Sequence, residues 1–140
     1  MEFTFSHQID VRFRDCDPMG HANNAVYLTY LEQARFAHWR ALWGFRGGPP
    51  RPGEPGVIMA HAEIDYRKPV EYGDRLEVRL AIAAIGRTSF TYDYELVDQS
   101  KSVVASARTV QVMYDYASAR PVPIPERVRE LLARHVRPVV

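Results

Sequence analysis

Polar and apolar residues alternate strictly over residues 3–13, where Phe3, Phe5, His7, Ile9, Val11 and Phe13 interleave with Thr4, Ser6, Gln8, Asp10 and Arg12. That period of two predicts a half-buried first strand. The pattern then changes. In AVYLTYLEQARFAHWRALWG, residues Tyr27, Tyr30, Leu31, Ala34, His38, Ala41 and Leu42 recur at three- and four-residue spacing, which predicts one long helix with a broad buried face. Asn23 or Asn24 is suited to cap its start, and Gly44 to end it in a left-handed conformation. The Gly- and Pro-rich residues 46–56 then form a loop.

Four further strands follow from period-two runs. They are marked by Ile58, Ala60, Ala62, Ile64 and Tyr66; by Leu76, Val78, Leu80 and Ile82; by Phe90, Tyr92, Tyr94 and Leu96; and by Val104 through Tyr114. Turn residues around Tyr72-Gly73-Asp74, Gly86-Arg87 and Asp98-Gln99-Ser100 join them into an antiparallel meander. PIPERVRELLARHV, with Pro at its start and acids early, predicts a short C-terminal helix. An α+β fold is expected: a five-stranded antiparallel sheet whose apolar face is covered by the long helix it wraps around.

With 140 residues, 46% of them hydrophobic, the chain is long enough for one core, so residues 1–140 are expected to form one domain. A formal charge of +1 with dispersed arginines gives no push toward nucleic acid. One cysteine, Cys16, excludes an internal disulfide and any CxxC zinc or redox pair. The N-terminal segment lacks a signal-peptide succession, and no apolar run approaches the ~20 residues that span a bilayer. A soluble, cytoplasmic protein is expected.

Candidate chemistry concentrates in Arg14-Asp15-Cys16-Asp17-Pro18-Met19-Gly20-His21-Ala22-Asn23-Asn24, between the first strand and the long helix. The uncapped N–H groups near Asn24 and Ala25 form a partial positive pole suited to a polarised carbonyl. Asp17, just upstream, is the best-placed carboxylate to attack that carbonyl or to activate a water; as an ordinary residue it would be a turn or capping aspartate. Asp15 reads as a structural loop residue. The adjacent carboxylates disfavour a thiolate nucleophile at Cys16. His61, Glu63 and Asp65 alternate on the strand face opposite the Ile58–Ile64 stripe in a spacing that matches no metal motif.

The segment VRFRDCDPMGHANNAVYLTYLEQAR, with its D-x-D-x-x-G-H-x-x-N core, resembles the signature of the 4-hydroxybenzoyl-CoA thioesterase family of hotdog-fold proteins. The resemblance extends through IDYRKPVEYGDRLEV and IGRTSFTYDYEL, nearly the whole chain. It implies an acyl-CoA thioesterase with Asp17 as nucleophile or general base and the backbone at Asn24 polarising the thioester. It also implies a homodimer or homotetramer with sites at subunit interfaces, and no metal or other cofactor, coenzyme A being part of the substrate. The G-H-x-N-N form is more similar to broad-range or long-chain fatty acyl-CoA thioesterases than to those with bulky residues in this loop.

Further substrate contacts are expected at His21 and at Tyr27, one turn into the helix. Arg87, Thr88 and Ser89 open the strand where related proteins receive the pantetheine arm and nucleotide, and Arg87 suits a phosphate; Arg120 is a weaker candidate. Each also has an ordinary reading, as loop histidine, core tyrosine or solvated arginine. The rival functions are an acyl-carrier-protein thioesterase, which takes the same pantetheine arm, a non-catalytic acyl-CoA binding module and, further off, a hotdog-fold dehydratase. Exposed sheet edges argue for assembly independently, because pairing two edges across a two-fold axis removes them.

Overall fold

The alternating run at the N-terminus becomes β1 (Phe5–Asp10) in the computed structural model, which describes residues 2–51 and 55–136. β1 is shorter than the pattern predicts. Asp15 accepts hydrogen bonds from the backbone and guanidinium of Arg12, which closes a 3₁₀ turn over Phe13–Asp15 and ends the extended run. Phe13 is consequently 78% exposed instead of facing the core.

The long helix, α1 (Val26–Trp43), buries Tyr27, Tyr30, Leu31, Ala34, Arg35, His38 and Trp39 along one side. Its other side, including Leu28, Thr29, Glu32 and Gln33, is exposed. Ala41, expected on the buried face, is exposed as well, because Leu42, Trp43 and Phe45 take over the apolar contacts of the last turn. Gly44 ends the helix at φ 73°, a left-handed conformation that carries little penalty without a Cβ.

β2 (Gly56–Tyr66), β3 (Arg75–Ile85), β4 (Ser89–Val97) and β5 (Val103–Asp115) form where predicted, and a two-residue β6 (Arg120–Pro121) adds a sixth strand beside the end of β5. The expected four-strand meander is corrected: only β3, β4 and β5 pair in succession, while β2 crosses to pair with β5 and leaves β3 to β1. The sheet runs β1-β3-β4-β5-β2, all pairs antiparallel, so β1 and β2 are its edges. Part of the expected loop at 46–56 lies outside the described residues. α2 (Glu126–Ala133) docks Leu132 and Val128 on the core.

The expected single stripe on β2 is corrected by a bulge. Pairing passes from Met59↔Gln111 to His61↔Val110, leaving Ala60 as the extra residue. Side chains on either side of a bulge exchange faces. Ala62, Ile64 and Tyr66 therefore share the helix-facing side with Thr109, Ala107 and Ala105, whereas Ile58 joins His61, Glu63 and Asp65 on the outer side. There Arg108, opposite Glu63, pairs with Asp93 at 2.6 Å.

The core lies between α1 and the inner sheet face, where Leu76, Val78, Leu80, Ile82, Phe90, Tyr92 and Leu96 are fully or almost fully buried. Through it runs a polar seam. Arg35 donates to the Tyr94 hydroxyl (3.1 Å), which bonds Thr109 (2.6 Å), which accepts from Gln111 (2.6 Å). His38 Nδ1 and Trp39 Nε1 both meet the Tyr92 hydroxyl, at 2.6 and 3.1 Å. This seam joins helix to sheet through directional contacts as well as apolar ones.

Candidate active site

Asp15 organises the loop that follows β1. Its side chain is 4% exposed and accepts hydrogen bonds from Arg12 and, at 2.9 Å, from the Tyr30 hydroxyl in the second turn of α1. Its backbone carbonyl accepts the Asn23 N–H at 2.8 Å. Burial pushes the Asp15 carboxyl up, but the bonds from Arg12 and Tyr30 and the Arg12 charge outweigh it and hold the carboxyl below its ordinary range. The loop carrying Asp17 is thus pinned to α1 by a buried anion, in keeping with the structural role expected of Asp15.

Asp17 begins a tight turn. Gly20 N–H bonds the Asp17 carbonyl at 2.9 Å, and Asp17 N–H bonds the His21 carbonyl at 3.0 Å. Gly20 has φ 84°, which favours glycine there. Asp17 Oδ1 accepts the Met19 N–H at 2.9 Å, and Oδ2 has no partner among the described residues. The carboxylate is half-buried. One oxygen fixes the rotamer while the other stays available.

The start of α1 supplies the complementary group. Asn23 Oδ1 accepts the Ala25 N–H at 2.9 Å, and Asn23 O accepts the Val26 N–H at 2.9 Å. Asn24 N–H has no acceptor among the described residues, and Asn24 is exposed. The cap position itself falls on Ala25, which makes no side-chain cap bond, so the expected asparagine cap is corrected: Asn23 closes the turn that leads into the helix instead. On the other flank, the Tyr66 hydroxyl at the end of β2 donates to Asn24 O at 2.8 Å.

His21 lies in the same loop, half-buried, its backbone bridged to Glu71. Tyr27 is buried below the helix start, with its ring edge-on to Tyr66 at 4.9 Å. Asp17, His21, Asn24 and Tyr27 therefore belong to one region. Arg87, Thr88 and Ser89 do not. They form the β3–β4 turn, tied down by the Gly86 N–H to Ser89 O bond and by Ile124 N–H and Arg129 on the Arg87 carbonyl. That turn follows Ile85, at the opposite end of β3 from Arg75, which pairs with Asp10 just before the Asp17 loop. At ~3.3 Å per residue, the strand separates the two groups by about 30 Å within one chain. Arg120 sits in exposed β6, paired with Asp115.

Cys16 is half-buried, with its thiol 3.8 Å from the Arg12 carbonyl. His61 and Glu63 approach only to 3.9 Å, and no group of three or more His, Cys, Asp or Glu side chains suited to a metal occurs among the described residues. Tyr30 and Tyr66 are contacts that the sequence pattern missed. Both read as ordinary apolar-face residues, and nothing in their spacing marks a hydroxyl aimed at a site 15 or 42 residues away.

Residues 11–132 match the family model described as the thioesterase-like superfamily. The chain belongs to the thioesterase-like superfamily. It is a thioester hydrolase by that kinship, and its matched segment runs from Val11, just after β1, through α1 and strands β2–β6 to Leu132. This thioesterase is 33% identical to the 1,4-dihydroxy-2-naphthoyl-CoA hydrolase of Synechococcus elongatus over 91% of its own length and 94% of the relative's. Among solved structures, it resembles a Thermus thermophilus thioesterase complexed with coenzyme A and Zn (TM-score 0.78, 32% identity, 94% and 98% of the two chains covered). It also resembles a hypothetical protein of Aquifex aeolicus (TM-score 0.84, 30% identity, 92% and 99% covered). The architecture is the hotdog fold, with one short strand more than the five predicted. No helix among the described residues is long and apolar enough to cross a membrane.

Proposed function

We propose that this thioesterase hydrolyses acyl-CoA to a free carboxylic acid and coenzyme A at the loop between β1 and α1, as in the 4-hydroxybenzoyl-CoA thioesterase family. The observation that carries this reading is a pairing: a half-buried carboxylate with one unengaged oxygen, Asp17, precedes a helix start whose Asn24 N–H lacks an acceptor among the described residues. The thioester oxygen accepts that N–H, and the aligned peptides of α1 add their positive end, which draws electron density from the carbonyl carbon. Asp17 Oδ2 then attacks the carbon or takes a proton from an attacking water. Both routes expel the coenzyme A thiolate; direct attack leaves a mixed anhydride on Asp17, which water then hydrolyses to the free acid and the regenerated carboxylate, and neither route calls for a metal or other cofactor.

The rest of the coenzyme A molecule is assigned to a second copy. In one chain the β3–β4 turn is too far from Asp17 to hold the same ligand. β2 offers an unpaired edge of eleven residues on which Ala60, His61, Ala62 and Glu63 are exposed and Met59 is 40% exposed. Antiparallel pairing of two such edges sets the beginning of one β2 beside the end of the other. Three strand spacings of ~4.8 Å then separate the Tyr66 end of one copy from the Ser89 end of its partner's β4, about 15 Å, within reach of a pantetheine arm. On this reading His21 and Tyr27 flank the acyl group in one copy while Arg87, Thr88 and Ser89 of the other meet the nucleotide arm.

The experiment is a thiol-release assay on matched acyl-CoA and acyl-carrier-protein substrates, with aromatic and long-chain acyl groups in parallel. The activity named for the Synechococcus relative makes hydroxylated naphthoyl-CoA a first substrate, and the G-H-x-N-N loop adds long-chain acyl-CoA. Turnover of acyl-CoA is the expected result. Tight binding without thiol release would instead indicate a binding module.

A further inference from the structure

We infer that Tyr66 is a positioning residue for this reaction: its hydroxyl, bonded to Asn24 O, fixes the peptide after Asn24 and so aims the Asn24 N–H at the thioester oxygen. The inference rests on reading that N–H as the carbonyl-polarising donor. Tyr66 is the last residue of edge strand β2 and is 49% exposed, so water could satisfy its hydroxyl at no structural cost. Instead the hydroxyl donates at 2.8 Å to a backbone carbonyl 42 residues away. The ring is held for that task edge-on against Tyr27, at 87° and 4.9 Å between centroids.

The geometry of two peptide planes gives the reason. The plane containing the Asn24 N–H also contains Asn23 O, which the Val26 N–H holds at 2.9 Å. The following plane contains Asn24 O and the Ala25 N–H, held respectively by Tyr66 and by Asn23 Oδ1. Every one of these bonds except that from Tyr66 is local, made within three residues in the turn that opens α1. The helical ladder begins only at Val26, leaving Asn24 outside it. Tyr66 is therefore the one long-range anchor recorded for the Asn24 peptide groups among the described residues, and it ties them to the sheet. A hydrogen bond weakens steeply as its angle opens, so a small tilt of the Asn24 peptide costs stabilisation of the reacting oxygen while barely affecting ground-state binding.

Tyr66→Phe is the test, because it removes one oxygen and keeps the ring against Tyr27. Removing an oxyanion donor outright costs roughly 10²–10³-fold in rate, so misaiming one is expected to lower kcat about ten- to fiftyfold, with KM within about twofold. The Asn24 amide resonance should shift in the ¹H–¹⁵N spectrum, while the thermal midpoint stays close to that of the parent protein. Tyr72→Phe, at another exposed tyrosine, serves as control and should change neither kcat nor that resonance. An unchanged kcat, a loss carried by KM alone, or a loss matched by a falling thermal midpoint would overturn the inference. Should the parent protein cleave no acyl-CoA, the thioesterase reading fails by itself, and the Asn24 resonance still decides whether Tyr66 holds that peptide.

Discussion

Tyr30 donates a 2.9 Å hydrogen bond to the buried carboxylate of Asp15, and this contact joins the second turn of α1 to the loop that carries Asp17. A bond to a charged, buried acceptor contributes about 1.5–3 kcal/mol. Tyr30→Phe keeps the ring in the core and should destabilise the protein by that amount in urea unfolding. The sign with pH follows from Asp15, whose carboxyl is held below its ordinary range in the folded protein. Its contribution is complete above the unfolded carboxyl value near 4 and is lost as pH falls through the folded value. The penalty of Tyr30→Phe should therefore shrink in acid, which unfolding curves at pH 7 and pH 3 would show.

His38 is shifted downward as well, but for the opposite reason: its charged form is penalised, where that of Asp15 is favoured. It is fully buried against Tyr92, and burial, with a smaller push from His135, lowers it to about 4. The unfolded chain then binds a proton that the folded protein refuses between roughly pH 6.5 and 4, so stability falls as pH drops across that window. The total is of order 3 kcal/mol. Replacing His38 by Gln should flatten the pH dependence of the unfolding midpoint there, as calorimetry between pH 4 and 7 would reveal.

Assembly gives a test by subunit mixing. If one site takes Asp17 from one copy and Arg87 from its partner, Asp17→Asn and Arg87→Ala proteins are each impaired alone. Hybrid dimers of the two carry one intact site and one doubly damaged site. Activity should reappear on co-refolding, and the hybrid should elute as two copies of the 16.1 kDa chain. Absence of recovery in a verified hybrid would place both residues' functions within one chain.

Cys16 neighbours the proposed carboxylate, yet its recorded polar contact is a weak one to Arg12 O at 3.8 Å. Cys16→Ser should hydrolyse acyl-CoA at the parent rate and resist thiol alkylation, which a rate comparison before and after alkylation checks.

The architecture was legible because period-two runs and one long 3.6-period segment leave little choice of fold. One failure is topological: short connections suggested a meander through all four later strands, yet β2 pairs with β5 and leaves β3 to β1. The others are local and have physical causes. Phe13 continued the alternation, but the Arg12 and Asp15 contacts bend the chain into a 3₁₀ turn. Ile58 continued it too, and the extra residue at Ala60 turned it to the outer face; neither neighbour of Ala60 is a glycine that would announce a bulge. At the site, the cluster from Asp17 to Tyr27 was readable because it is contiguous in sequence. Tyr66 was not, since its role depends on β2 ending beside the start of α1. The separation of Arg87 from Asp17 was hidden for the same reason: it is a property of strand length and order, which residue types do not carry.

The central claim is that Asp17 supplies the carboxylate for thioester cleavage. Steady-state hydrolysis of acyl-CoA by folded Asp17→Asn protein tests it most directly, since Asn keeps the Oδ1 acceptor for Met19 while removing the charge. We expect kcat to fall at least about 10²-fold with the fold and thermal midpoint retained. Turnover near the parent rate would contradict the account.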